Sequence, residues 1–220
     1  MSRKKIGVVL AGCGVNDGSE IHEATLTLLF LDRANASAII MAPDIKQMDV
    51  VNHQIGEAVS SETRDVIVES ARIARDAVEN IKNISANDLD AVIFPGGFGA
   101  AKNLCDFAVK GENLTVNHNV EQLILEMHKA KKPVGFICIA PVIAAKVLGN
   151  FHPKITIGND AGTAQIIEKF GAKHISCPVD DIVFDEENLV VTTPAYMLGP
   201  SISYVAKGIK KLVKKVIKLS

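Results

Sequence analysis

One thiol stands where a nucleophile would be made. The run Val134–Ile137 is wholly apolar and stops at Cys138; Ile139-Ala140-Pro141 then lead into a helix-like stretch, Val142 to Leu148, that closes at Gly149. Proline is favoured in the first turn of a helix, because the N–H it lacks would have no partner there. Cys138 therefore falls at a tight strand-to-helix turn with helix N–H groups near its sulfur. The positive end of a helix favours thiolate over thiol, the form in which cysteine attacks electrophiles. This is the cysteine counterpart of the serine elbow of hydrolases. Free cysteine is also among the most buried residue types, so the local pattern leaves a structural role open.

Other residues could serve the same chemistry. Pro95-Gly96-Gly97-Phe98-Gly99 ends another apolar run, and glycines there let backbone approach a ligand, with an N–H free for an oxyanion; an ordinary turn has the same composition. Gly12-Cys13-Gly14 with Gly18 resembles a relaxed dinucleotide fingerprint. That fingerprint requires an acidic residue about 20 positions on, whereas Asp44 comes late and follows Pro43. The glycines read more simply as a tight turn that brings Gly12 backbone to a shared pocket. Asp17 and Glu20 have capping-box spacing, which folds Glu20 back on a helix start. Glu23, one turn deeper, reaches either toward the crevice or into solvent, and His22 beside it is a candidate for the pocket wall. His174, Cys177, Asp180 and Asp181 could suggest a metal. Zinc normally needs four ligands at recognisable spacings, and with no second pair no metal is expected.

The elements that must position these residues are short aliphatic strands, Ile6–Leu10, Ala38–Met41, Ala91–Phe94, Val134–Ile137, Ile155–Ile157 and Val190–Thr192, alternating with helical periodicity. Continuously apolar strands point to a parallel sheet covered on both faces. Shared helix faces are Ile21, Ala24, Leu28 and Leu31; Ile67, Ala71, Ala74 and Val78; and Val120, Leu123, Ile124 and Met127. The alternation predicts an α/β fold, a doubly wound, mostly parallel open sheet with helices on both faces, in one domain over 1–220. Ligands bind such sheets outside the carboxyl ends of the strands. Three loops leave those ends: Ala11–Ser19, Pro95–Ala100 and Cys138–Pro141. The segment Pro43–Thr63 shows no sustained period and is expected as an excursion at the pocket rim or a dimer contact. A last helix, about Ser201 to Leu219, sets Val205, Ile209, Leu212 and Val216 against six lysines. That pattern is read as a docked terminal helix with a solvated face rather than a membrane-surface element.

The 220 residues carry a net charge of −1, which gives no reason to expect nucleic acid or an anionic membrane as partner. Met1-Ser2-Arg3-Lys4-Lys5, followed by Ile6–Leu10 and Ala11-Gly12-Cys13, mimics a lipoprotein leader. A leader needs an apolar stretch of about 7–15 residues, roughly twice what is present, so a first β-strand is expected. No run approaches the roughly 18 apolar residues of a membrane span. Four widely separated cysteines, Cys13, Cys105, Cys138 and Cys177, show no disulfide framework and fit a reducing, cytoplasmic setting.

Taken together, Gly12-Cys13-Gly14-Val15 with Asp17–Glu23, Pro95–Leu104, Phe136–Pro141, Cys177–Asp181 and Thr192–Met197 resemble the ThiJ/PfpI superfamily, which has the class I glutamine amidotransferase-like, flavodoxin-like fold. Within it the resemblance is to the ElbB group, labelled glyoxalase or isoprenoid biosynthesis protein with amidotransferase-like domain. The resemblance implies that the elbow cysteine is Cys138, that its acidic partner is Glu23, and that Gly97 and Ile139 supply oxyanion N–H groups. Many relatives carry a histidine about 20 residues after the cysteine, where this chain has Gly158-Asn159. Glutamine hydrolysis by a Cys-His-Glu triad is therefore disfavoured. What the resemblance implies instead is a homodimeric, cofactor-free glyoxalase, a lyase acting on a small dicarbonyl: glyoxal to glycolate, with methylglyoxal to lactate as the related reaction. The alternatives are protein deglycation or repair and a non-enzymatic redox-stress sensor at Cys138.

Overall fold

The computed structural model describes residues 3–220; Met1 and Ser2, the start of the leader-like segment, lie outside the described residues. Seven strands form the central sheet: β1 (Lys5–Val9), β2 (Ser37–Ala42), β3 (Glu79–Asn80), β4 (Ala91–Phe94), β5 (Val134–Ile137), β6 (Val183–Asp185) and β7 (Val190–Thr193). Their order is β6-β7-β5-β4-β1-β2-β3. All pairs are parallel except β6 with β7. Every residue of β4 and β5 is buried, as expected of parallel strands covered on both faces.

Among the described residues eight α-helices surround the sheet: α1 (Ile21–Arg33), α2 (Val66–Ala74), α3 (Phe98–Lys102), α4 (Phe107–Lys110), α5 (His118–Lys129), α6 (Pro141–Leu148), α7 (Ala161–Lys169) and α8 (Ile202–Leu219). One layer joins Ile6 and Val8 of β1 to Ala24 and Leu31 of α1 and to Val205, Ile209 and Leu212 of α8. The opposite layer joins Val9 to Leu123 and Met127 of α5 and Val142 and Leu148 of α6. Adjacent β1 residues thus point to opposite faces, the period-2 rule of a strand. Phe94 and Phe136 stack within the second layer, ring centroids 4.9 Å apart.

Several expectations are corrected. The run Ile155–Ile157 does not join the central sheet; Lys154–Ile155 pairs with Lys173–His174 in a separate two-residue ladder. The edge strands β3 and β6 had no expected counterpart, because Glu79-Asn80 holds no apolar residue and β6 is only half buried at Val183 and Phe184. The buried stripe of α1 is Glu23, Ala24, Thr27, Phe30 and Leu31, while Ile21 is exposed. The helix is therefore rotated from the face read from its aliphatic residues, and the rotation carries Glu23 inward. In α2 the buried residues are Val66, Glu69 and Ser70, and the helix ends before Val78 because Arg75 adopts a left-handed φ of 59°.

Residues 43–63 form no strand of the central sheet; Val51–Asn52 pairs antiparallel with Glu57–Ala58. The excursion is tied to the first glycine turn and to α3. Val51 N–H donates to Asp17 Oδ2 (2.8 Å), Met48 N–H to Asn103 Oδ1 (2.9 Å) and Asn16 N–H to His53 Nε2 (3.1 Å). Lys102 pairs with Asp49 at 2.9 Å.

The apolar stripe of α8 lies against α1 and the sheet, with Lys207, Lys210, Lys211, Lys214 and Lys218 on its exposed side. Among the described residues no helix is long and apolar enough to cross a membrane. A docked α8 predicts that Leu212→Ala, which opens a cavity at a fully buried side chain, costs about 2–5 kcal/mol of unfolding free energy. Lys214→Ala should change it by less than about 0.5 kcal/mol. Urea denaturation of the two variants checks the contrast.

Candidate functional site

The carboxyl ends of β1, β4, β5 and β7 meet at one thiol. Cys138 follows β5 with φ of 62°, a left-handed conformation that a residue with a side chain rarely adopts. It is pinned there because its N–H donates to Thr193 O at the end of β7 (3.0 Å), while the next turn closes through Ala140 N–H to Ile137 O (3.1 Å). Pro141 opens α6 directly beyond. The sequence expectation of a tight strand-to-helix turn matches what the chain does, and the left-handed φ of Cys138 is added by the structure.

Two successive glycines admit the sulfur's surroundings for different reasons. A Cβ on Gly96 would sit 2.5 Å from Cys138 Cβ and 2.7 Å from Glu23 Oε2, so only glycine lets thiol and carboxyl meet. Gly97 has φ of 94°, and a Cβ there would run into the backbone of Gly18 and Glu20. The resulting turn aims the Gly97 N–H at the Cys138 sulfur, as the Ile139 N–H does from the other side.

Glu23 is fully buried. Its Oε2 accepts the Gly96 N–H (2.9 Å), its Oε1 accepts the Tyr196 N–H (3.3 Å), and the carboxyl shares a hydrogen bond with the Cys138 thiol. Burial and the neighbouring Glu20 carboxylate push its pKa up to about 8. Burial and the adjacent Glu23 charge likewise push the Cys138 thiol up, against the pull of the Gly97 and Ile139 N–H groups. Burial is the first cause of both shifts, and two acids in contact inside the protein do not both ionise. At neutral pH the pair holds at most one negative charge. With Glu23 protonated, its O–H becomes a donor to sulfur and its repulsion vanishes, which leaves burial to oppose the pull of the Gly97 and Ile139 N–H groups on a Cys138 thiolate.

The remaining site candidates are placed as follows. Glu20 is itself the N-cap of α1, its Oε2 accepting the Glu23 N–H (2.7 Å). The Asp17–Glu20 capping box does not form, because the helix begins at Ile21 and Asp17 turns to Val51 instead. Gly12 is not at the pocket; its N–H donates to Ser70 Oγ (3.0 Å) and a Cβ on it would meet Gln47 Oε1. His22 is exposed and one step removed from the sulfur, its Nδ1 2.7 Å from the Tyr196 hydroxyl. Of Gly158-Asn159, where the resemblance implied a histidine in many relatives, Gly158 has φ of 97° and a Cβ on it would lie 2.8 Å from Leu198 Cγ, while Asn159 is exposed. Among the described residues no group of three or more His, Cys, Asp or Glu side chains is arranged to hold a metal.

A cavity of about 370 Å³ opens over Cys138, between Val15, Phe98, Phe107, Ile139, Tyr196 and Met197. None of the six histidines lines it, nor does any residue of the 43–63 excursion. The other thiols lie elsewhere: burial pushes Cys105 up to about 12 and Cys177 up to about 11.

No protein-family model matches the chain. The chain is 47% identical over 227 residues to the rat "ES1 protein homolog, mitochondrial", covering 99% of this chain and 85% of that one. It is 47% identical to the human "Glutamine amidotransferase-like class 1 domain-containing protein 3, mitochondrial", covering 98% and 83%. The chain belongs to the ES1 family. A crystal structure of an "isoprenoid biosynthesis protein with amidotransferase-like domain" from Ehrlichia chaffeensis superimposes with a TM-score of 0.91 at 36% identity, over 98% of this chain and 99% of that one. A ThiJ/PfpI domain protein from Brachyspira murdochii shares the fold at 16% identity, with a TM-score of 0.57 over 99% and 97% of the two chains. The ES1 chain thus shares its fold with a ThiJ/PfpI domain protein and with a protein that has an amidotransferase-like domain. The cytoplasmic expectation is corrected, because the rat, human and zebrafish relatives all carry "mitochondrial" in their names; cysteine usage reports a reducing compartment without saying which one.

Tyr196 is the site residue that sequence reasoning missed. Its backbone holds Glu23, its ring walls the cavity and its hydroxyl meets His22. The available signal was its place just past the carboxyl end of β7, a strand end outside the three loops singled out, and within the Thr192–Met197 stretch that carried part of the resemblance. Phe107 and Thr163 reach the cavity from α4 and α7 and had no such signal.

The electrostatics make a signed prediction. A carboxyl whose folded pKa is raised from 4.5 to about 8 binds more protons folded than unfolded between those values, so stability falls as pH rises through that window. Glu23→Gln removes this dependence. Its urea midpoint, relative to the wild type, is expected to rise between pH 5 and pH 8.

Proposed function

We propose that the ES1-family chain is a cofactor-independent glyoxalase that converts glyoxal to glycolate through a cysteine hemithioacetal. The observation that carries the reading is the arrangement at Cys138: a thiol between two backbone N–H donors, in contact with a buried carboxyl poised to gain or lose a proton near neutral pH. In the proposed route the thiolate adds to one aldehyde carbon. The C–S bond forms, the carbonyl π bond breaks, and the oxygen is held by the Gly97 and Ile139 N–H groups while it takes the proton of the Glu23 carboxyl, which is left as carboxylate. Glu23 as carboxylate then removes the proton from that carbon, the electron pair forms an enediol, and a proton is returned to the second carbon. One carbon is thereby oxidised to a thioester as the other is reduced to an alcohol, with no outside oxidant. Water adds to the thioester and the C–S bond breaks, releasing glycolate and the thiolate. A general base near pH 7 suits proton transfer of this kind, and a carboxyl with a pKa of about 8 meets that need.

A homodimer is proposed alongside this reading, with light scattering at micromolar concentration as its check. Glutamine hydrolysis is not proposed, since the cavity wall holds no histidine.

Cys138→Ser is expected to lower glyoxal consumption and glycolate formation at least 1,000-fold with the circular dichroism spectrum retained, because a hydroxyl is a far weaker nucleophile at neutral pH. Glu23→Gln should leave Cys138 open to alkylation by iodoacetamide while turnover falls at least 100-fold. Unchanged turnover in either variant overturns the route. Wild-type protein that oxidises at Cys138 but turns over no aldehyde would instead support the redox sensor. Turnover of pre-formed protein adducts, after free aldehyde has been removed, would support deglycation.

A further inference from the structure

The cavity above Cys138 is built for more than glyoxal. A water molecule takes about 30 Å³ of liquid, so glyoxal, with four non-hydrogen atoms, fills on the order of a third of the 370 Å³ available. The rest is bounded mainly by Val15, Phe98, Ala101, Phe107, Ile139 and Met197. Phe98 and Val15 stand 52% and 40% exposed at this cavity, apolar surface that a bound apolar group would remove from water. The polar side chains in the wall are Glu20, Cys138, Thr163 and Tyr196, and no lysine or arginine is among the lining residues. Lys102 sits 5.6 Å from the Phe98 ring with its charge already engaged by Asp49 and the Asn16 carbonyl. An anionic substituent would enter beside the Glu20 carboxylate with no counter-charge, an arrangement that costs binding.

We propose that this site selects uncharged 2-oxoaldehydes bearing an apolar substituent about the size of a phenyl ring, over glyoxal itself and over anionic analogues. The proposal rests on the glyoxalase reading and extends it to the substrate class. The aldehyde carbon bonds to Cys138 sulfur and the substituent on the ketone carbon occupies the apolar volume. The chemistry balances as before: the aldehyde carbon is oxidised to the carboxylic acid, the ketone carbon is reduced to the alcohol, and one water is consumed. Phenylglyoxal would give mandelate.

The test compares kcat/KM for glyoxal, phenylglyoxal and 4-carboxyphenylglyoxal with full-chain protein, following hydroxy-acid product by chromatography. The Cys138→Ser variant serves as blank for uncatalysed reaction and arginine modification. The expected result is at least a tenfold preference for phenylglyoxal over glyoxal, and at least a tenfold loss on adding the carboxylate. Ala108→Trp, which fills the cavity from an exposed position on α4, should cut the phenylglyoxal-to-glyoxal ratio at least tenfold. Cys138-dependent turnover of glyoxal with no gain on phenylglyoxal, or no loss with the carboxylate, overturns the substrate inference and leaves the glyoxalase reading standing. Absence of Cys138-dependent turnover of all three overturns both.

Discussion

A buried carboxyl in contact with a buried thiol is the constraint around which this molecule is arranged. Glu23 has no exposed surface, and burying an ionised carboxylate without partners is costly enough that the group shifts its pKa instead. The fold supplies two backbone donors to Glu23, from Gly96 and Tyr196, and two to Cys138, from Gly97 and Ile139. Those four N–H groups come from three different strand ends. The site therefore depends on the sheet being in register, and the sheet ends depend on the site to occupy their free donors.

Close backbone approach is what makes that possible. The turn after β4 lies against the turn after β1 so tightly that Gly97 and Gly99 have room for no side chain next to Gly18. Glu20 N–H donates to Gly96 O (2.9 Å) and Gly99 N–H to Gly18 O (2.8 Å), stitching the loops together. Asn103 adds two more bonds through its side-chain N–H group, to Ala11 O and Asp17 O, both at 2.9 Å. The excursion over residues 43–63 then covers this seam from outside through Asp17, Lys102 and Asn103. Asp17 and Glu20, which a capping box would have joined, serve instead on opposite sides of the seam.

The legible parts were those governed by one local rule. Val134–Ile137 followed by Cys138 and Pro141 announces both a buried strand and a tight turn into a helix, and both are present. The aliphatic faces of α5 and α8 were readable because nothing competes with the apolar stripe there. The face of α1 was misread because its buried stripe includes Glu23, held by the distant Gly96 N–H, and Thr27, whose hydroxyl donates to Glu23 O within the helix, polar residues that a periodicity rule scores as solvent-facing. The edge strands were missed because pairing on one side demands no hydrophobic signal. Tyr196 and Phe107 enter the cavity through tertiary placement, which no spacing in the chain encodes.

The hydrogen bonds around Glu23 and Cys138 also set an order of events during biosynthesis. Glu23 is made early, yet Tyr196, which holds one of its oxygens, and Thr193, which pins the thiol's backbone, follow more than 160 residues later. The outer face of α1 is covered by α8, later still. Contacts so distant along the chain form slowly, because the loop they close must be ordered first. A nascent chain still attached to the ribosome at residue 190 would hold its reactive cysteine with neither the β7 carbonyl nor the Tyr196 N–H in place. The thiol thus acquires its complete surroundings only when the fold is nearly finished, the β7 carbonyl under its own N–H and the Tyr196 N–H on Glu23 being the last parts to arrive.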